Sequence, residues 1–179
     1  MFENIREDLA AHDGRLGAQG FWAMVVYRYG RWRYTVRPAP LRKVCSLLYH
    51  VLFKLVQIVC GIELPCEAQV GRRLVIDHFG GIVVSGYAVL GDDCRLRNGV
   101  VIGLKNVEDP CAPVIGNRVD IGAGAKVLGP IRIGDGVKIG ANAVVLSDVP
   151  DGAVAVGVPA RWRMPDGVSR QPEATAAEG

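Results

Sequence analysis

From residue 70 onward the apolar positions recur every six residues. Val70, Ile76, then after a two-residue shift Val84, Leu90, Leu96 and Ile102 hold one phase; Ile115, Ile121, Val127, Ile133, Ile139 and Val145 resume it beyond an interruption. The residue that follows is often glycine, and the fifth place of each unit is restricted as well, as at Leu74, Cys94, Val100, Val119, Ala125, Val137 and Ala143. Two inward-facing positions per six residues predict a parallel β-helix of hexapeptide units. Each unit makes a short strand and a turn, the small residue after the aliphatic one permits the bend, and three units close a coil. Coils then stack by parallel pairing at about 4.8 Å. A β-sandwich would show period-2 alternation, which does not explain a six-residue phase.

Before the repeat the pattern is helical. Pro38 and Pro40 separate one helix from the next, and residues 41–60 form the longest apolar run. Beyond Arg42 and Lys43 at its start, its few polar members, Ser46, His50, Lys54 and Gln57, are spaced 4, 4 and 3 apart, which puts them on one stripe of a helix and predicts burial of most of the remaining surface. His50 and Lys54 in the middle argue against a membrane span. Two readings stay open: burial against the neighbouring domain or another subunit, or a basic helix lying on an anionic membrane surface. Between residues 14 and 62 there are eight basic residues, Arg15, Arg28, Arg31, Arg33, Arg37, Arg42, Lys43 and Lys54, and no acidic one.

The expected organisation is a helical N-terminal cap over 1–61, a β-helix over 62–163 and a disordered tail over 164–179. Residues 104–113, LKNVEDPCAP, interrupt the repeat and should project as a loop. The open ends of the coil stack need covers: the helices suit one end, residues 150–162 the other. Composition refines this picture in three ways. Twenty-three glycines in 179 residues exceed the usual share of about 7%, yet they alternate with Val and Ile, which signals repeated turns. A net charge of +3 does not suggest a general nucleic-acid binder. Five cysteines without a CxxC pair signal neither a disulfide framework nor a zinc site, and no secretory signal opens the chain, so a cytoplasmic location is expected.

Three histidines exist: His12 in an expected loop, His50 on the helical stripe, and His78 inside the repeat. His78 takes the third place of a unit, where a turn faces outward, and Gly80 and Gly81 beside it leave room for backbone approach. An imidazole titrating near neutrality can take the proton of a hydroxyl that attacks an acyl carbonyl. It needs an orienting carboxylate. Glu63, fifteen residues earlier and nearly one coil away, is a candidate; Asp77 is contiguous but its side chain should diverge.

The segments IDHFGGIVVSGYAVLGDDCRLRNGVVIG, VIGNRVDIGAGAKVLGPIRIGDGVKIGANAVVLSDVP and AVGVPAR resemble the serine acetyltransferase family of left-handed β-helix acyltransferases. The resemblance covers residues 61–161 and extends weakly to YRYGRW at 27–32. It implies acetyl transfer from acetyl-CoA to a hydroxyl, without metal, in a homotrimer with active sites between adjacent β-helices. His78 falls on the family's catalytic base, Glu63 on the aspartate that pairs with it, and Asp77 on an acceptor-binding aspartate, with Gly80 and Gly81 beside it. Gly103, Lys105, Gly122, Ala123, Gly140, Ala141, Gly157, Pro159, Ala160 and Arg161 match the groove that holds CoA.

Three departures bear on the acceptor. Where the family carries an Arg-His pair before a proline, this chain has Cys111 and Ala112 before Pro113, so a cation for an amino-acid carboxylate is missing. The family's long helical domain is shortened, and the chain ends Ala177-Glu178-Gly179, without the terminal isoleucine that inserts into cysteine synthase. Shortened sequences of this kind resemble enzymes of exopolysaccharide synthesis. The expectation is therefore a sugar hydroxyl as acceptor, with L-serine as the alternative and a non-catalytic trimeric scaffold as a third reading. The basic N-terminal region would suit peripheral contact at the inner face of the membrane.

Overall fold

The computed structural model describes residues 2–106, 108 and 111–165. Three helices, α1 (Phe2–Ala11), α2 (Gln19–Trp32) and α3 (Ala39–Cys60), precede fifteen short strands. Pro40 sits in the first turn of α3, where its missing N–H costs nothing, and Gly61 ends the helix at φ 61°, its N–H bonded to the Gln57 carbonyl.

The strands form three sheets, each taking every third strand, as coils of three sides demand. Sheet A holds β1 (Ile62–Glu63), β4 (Ile82–Val84), β7 (Val101–Gly103), β10 (Lys126–Leu128) and β13 (Val144–Val145). Sheet B holds β2 (Gln69–Val70), β5 (Val89–Leu90), β8 (Val114–Ile115) and β11 (Arg132–Ile133). Sheet C holds β3 (Val75–Ile76), β6 (Arg95–Leu96), β9 (Asp120–Ile121), β12 (Lys138–Ile139), β14 (Val154–Gly157) and β15 (Ala160–Arg163). All pairs are parallel except the terminal hairpin of β14 with β15. The architecture is the expected left-handed parallel β-helix with helices at its N-terminal end.

Register shows where the coil departs from its 18-residue turn. Val83 pairs with Val101, eighteen positions on, whereas Val75 pairs with Arg95, twenty on, and Arg95 with Asp120, twenty-five on. The first excess is the two-residue shift of the sequence, now located at the corner 77–81 that carries His78. The second is the interruption at 104–113.

Burial follows the two restricted places. Ile76, Leu90, Leu96, Ile102, Ile121 and Ile139 from the first place, and Leu74, Cys94, Val100, Val119 and Ala143 from the fifth, are all buried in one continuous core. The bend is made elsewhere than expected. Left-handed backbone falls on the fourth place, at Gly99, Gly124 and Gly136 and also at Arg73, Asp93, Arg118 and Asn142. Glycine in the second place serves close stacking of coils: a Cβ on Gly122 would lie 2.6 Å from the Ala141 nitrogen.

Burial also governs the thiols. Cys94 is fully buried and its pKa is pushed up to about 11 by desolvation, and burial raises Cys60 too. Because the thiolate is the nucleophile, a raised pKa keeps Cys94 protonated, hence inert, throughout the neutral range. Iodoacetamide at neutral pH should modify exposed Cys111 in minutes and spare Cys94 until the chain unfolds, which peptide mapping will read.

Both ends are covered. Tyr27 on α2 donates to the Ala68 carbonyl and accepts from the Val70 N–H, fixing the helix to the first coil. At the other end Trp162 and Met164 pack against the core; of the tail expected from 164 onward, residues 166–179 lie outside the described residues.

Helix α3 differs from expectation. Tyr49, Val56 and Cys60 are buried, but Leu41, Val44, Leu47, Leu48, Val51, Leu55, Ile58 and Val59 are exposed. The stripe of polar residues covers only one side, and a second apolar side has no partner among the described residues.

Candidate active site

His78 stands on the corner between β3 and β4, exposed, with Phe79 next to it also exposed. The corner turns through Gly80 and Gly81, at φ 96° and 69°, which side chains adopt only under strain. It is pinned from below and above: the Gly80 N–H donates to the Cys60 carbonyl at 2.9 Å, and the Gly80 carbonyl accepts from the Gly99 N–H at 2.9 Å. The same column continues upward, with Gly124 N–H bonded to the Asn98 carbonyl and Asn142 N–H to the Ala123 carbonyl. Ala123 and Ala141 therefore share the corner of His78 on successive coils. Gly122 and Gly140 lie immediately before them at the ends of β9 and β12, and the predicted set Gly157, Pro159, Ala160 and Arg161 occupies the terminal hairpin above.

Gly103 and Lys105 sit elsewhere. They lie at the far end of β7, across the outer face of sheet A, where Gly103 pairs with Leu128. A cavity of about 280 Å³ opens there, lined by Lys105, Asn106, Leu128, Pro130, Ile131 and Leu146. Its aliphatic floor and ammonium rim suit a pantetheine chain and a phosphate. The residues matched to one CoA groove thus occupy two edges of the prism in a single chain.

Glu63 lies on β1, exposed on the outer face of sheet A and paired in register with Val83. It is on the coil beneath the His78 corner, and Gly61, two residues before it, packs directly under Gly80. Among the described residues neither the Glu63 nor the His78 side chain has a hydrogen-bond or ion-pair partner. Asp77 is occupied: its carboxylate accepts from Arg95 at 3.1 and 3.2 Å and pairs with Arg97 at 3.9 Å. Arg97 in turn donates to Asp120, and that hydrogen bond, with the carboxylate charge behind it, pushes the guanidinium pKa further up.

Sequence reading missed this ladder. Eighteen residues after Asp77 falls Arg95, so the period alone carried the signal, but the two-residue insertion aligns Asp77 with Arg97 as well. It also missed His12. Instead of lying in a loop it is buried at the end of α1, where Nδ1 contacts the Asp8 carbonyl at 2.7 Å and Nε2 accepts the Ile76 N–H at 3.3 Å, two residues before His78. No sequence period connects position 12 to position 76. Among the described residues no group of three or more His, Cys, Asp or Glu side chains gathers to hold a metal.

Comparison with known proteins accords with this arrangement. Residues 112–147 match the family model for the bacterial transferase hexapeptide (six repeats), and residues 88–103 the hexapeptide repeat of succinyl-transferase. A serine acetyltransferase of Helicobacter pylori is 49% identical over 111 residues, covering 62% of this chain and 65% of that protein. A serine acetyltransferase of Synechococcus elongatus is 39% identical over 172 residues, covering 94% of this chain and 68% of that protein. The chain thus spans about two thirds of the length of these relatives. The crystal structure of Neisseria gonorrhoeae serine acetyltransferase in complex with serine superposes with a TM-score of 0.74 at 34% identity, covering 89% of this chain and 67% of that one. With this identity carried along nearly its whole length, on the same coiled architecture, the chain belongs to the serine acetyltransferase family.

Proposed function

We propose that the protein is an acetyl-CoA-dependent O-acetyltransferase working through His78. The observation that carries this reading is the corner itself: an exposed imidazole held on a backbone pinned from both sides, beneath a column of small residues that lets a ligand approach. Acetyl-CoA supplies an activated acyl group as a thioester. His78 takes the proton of the acceptor hydroxyl as that oxygen bonds to the acyl carbon, and returns it to the sulfur as the carbon–sulfur bond breaks. Backbone N–H groups of the corner or loop steady the charge that develops on the carbonyl oxygen. Glu63, one coil below, orients the imidazole and stabilises its protonated form.

The split of the CoA-matched residues between two edges supports a trimer, in which the His78 edge of one copy faces the Lys105 edge of the next. A copy set alongside brings both edges to one cleft.

The names of the relatives favour L-serine as acceptor over the saccharide expected from the shortened sequence. The saccharide reading rests on specific observations nonetheless. Cys111 and Ala112 stand where a carboxylate-binding pair is expected, and Arg95 and Arg97 engage the Asp77 carboxylate that would meet the serine ammonium group. Thiol release from acetyl-CoA, measured with L-serine, with a panel of sugars and nucleotide sugars and with no acceptor, separates the readings. The reading predicts release that depends on L-serine. Release with a saccharide only would move the enzyme to glycan modification, and no release with any acceptor would leave a scaffold.

A further inference from the structure

The surface of α3 divides into three sectors. At 100° per residue, Cys45, Tyr49, Leu52, Phe53, Val56 and Cys60 share one side, which packs on α2 and the first coil; the Tyr49 hydroxyl accepts the Cys66 N–H at 3.0 Å. Ser46, His50, Lys54, Gln57 and Lys43 form the polar stripe. The remaining arc of about 120° holds the eight exposed aliphatic residues from Leu41 to Val59, between 47% and 73% accessible. The arc runs the full 22-residue length of the helix and continues into an apolar cavity of about 540 Å³ between α2 and α3, lined by Leu16, Trp22, Val25 and Leu55 among others. An apolar face of this extent marks a docking surface.

Charge identifies the occupant. Lys43 and Lys54 border the arc, with Arg42 at the start of the same helix and Arg31 and Arg37 just before it. All five are exposed, and among the described residues none has an ion-pair partner, whereas Arg28 and Arg33 of the same stretch find theirs in Asp8 and Glu67. A second copy laid face to face would set these cations against each other. A bilayer with anionic headgroups satisfies both features together, aliphatic side chains entering the acyl boundary while Lys43 and Lys54 reach the phosphates. Length and hydropathy alone would let α3 cross a membrane, but its opposite side is fixed to the β-helix, so it can only lie flat.

We propose that α3 docks the protein on anionic membrane surfaces, its exposed aliphatic arc lying in the interface. Flotation of the full chain with vesicles of phosphatidylcholine alone, or of phosphatidylcholine with phosphatidylglycerol, tests this. The protein should float with the anionic vesicles only and be released by high salt, which shortens the range of the charges to about 3 Å at 1 M. The double variant V51E/L55E, altered only at exposed positions, should lose binding at least tenfold, and neutralising Lys43 and Lys54 should weaken it roughly fivefold per charge. Both variants should keep their thermal unfolding temperature and acetyl transfer, since Lys43, Val51, Lys54 and Leu55 are exposed and the His78 corner is held by the Cys60 carbonyl and the Gly99 N–H instead. Failure of the wild type to float at low salt would overturn the proposal, as would a fall in sedimenting mass of V51E/L55E without vesicles, which would assign the arc to another copy.

Discussion

Replacing His78 with alanine should lower acetyl transfer by about 10²- to 10⁴-fold, the usual worth of a positioned general base, or roughly 3–5 kcal/mol on the barrier. The loss should appear in kcat, because the imidazole acts on a proton that moves only as the acyl bond forms. CoA affinity and assembly should stay at wild-type values. The reason is structural: His78 is exposed, and the corner is held by backbone bonds from Gly80 to Cys60 and Gly99, none of which needs the imidazole. Replacing Glu63 with glutamine should reduce turnover less, since it removes the orienting charge and retains the base. Stopped-flow or coupled thiol assays with saturating acceptor will read both.

The largest effect on stability should come from Asp8. This carboxylate is fully buried on α1 and accepts from Arg28 Nε at 2.8 Å and Nη2 at 3.2 Å. The same guanidinium donates to the carbonyls of Val70 and Gly71, so one side chain ties α1, α2 and the first coil together. Asp8→Ala would leave the Arg28 charge buried without its counter-ion. Breaking a buried pair from one side typically costs 3–5 kcal/mol, of the order of a third of a domain's stability. Chemical denaturation at fixed protein concentration should show that loss. The double replacement Asp8→Leu with Arg28→Met should recover most of it, because the cost lies in the stranded charge and the site can be packed with apolar atoms. A single and a double variant of equal stability would show that the pair is not what holds the cap.

The coils were legible in the sequence because every unit repeats one physical problem: an aliphatic side chain must fill the interior at a fixed spacing, and the chain must turn three times per coil. The exposure of His78 was legible for the same reason, since the third place of a unit falls on an outward-facing corner. The mechanism of the turn was misread, because glycine in the second place is conspicuous in the sequence while the left-handed fourth place is also filled by Arg73, Asp93, Arg118 and Asn142. Contacts between distant elements, Asp8 with Arg28 and His12 with Ile76, follow from how the helices dock on the coil, and no local pattern encodes that. The apolar run of α3 was visible, but apolar composition is shared by a buried helix and one that meets a lipid surface. Only the surrounding packing separates them.

The corner at His78 as the seat of acetyl transfer is tested most directly by detecting the product. Mass spectrometry of L-serine incubated with acetyl-CoA and either the wild-type protein or His78→Ala should show serine one acetyl group heavier with the wild type, and at most about one part in a hundred of that rate with the variant. Equal product from both proteins would contradict the account.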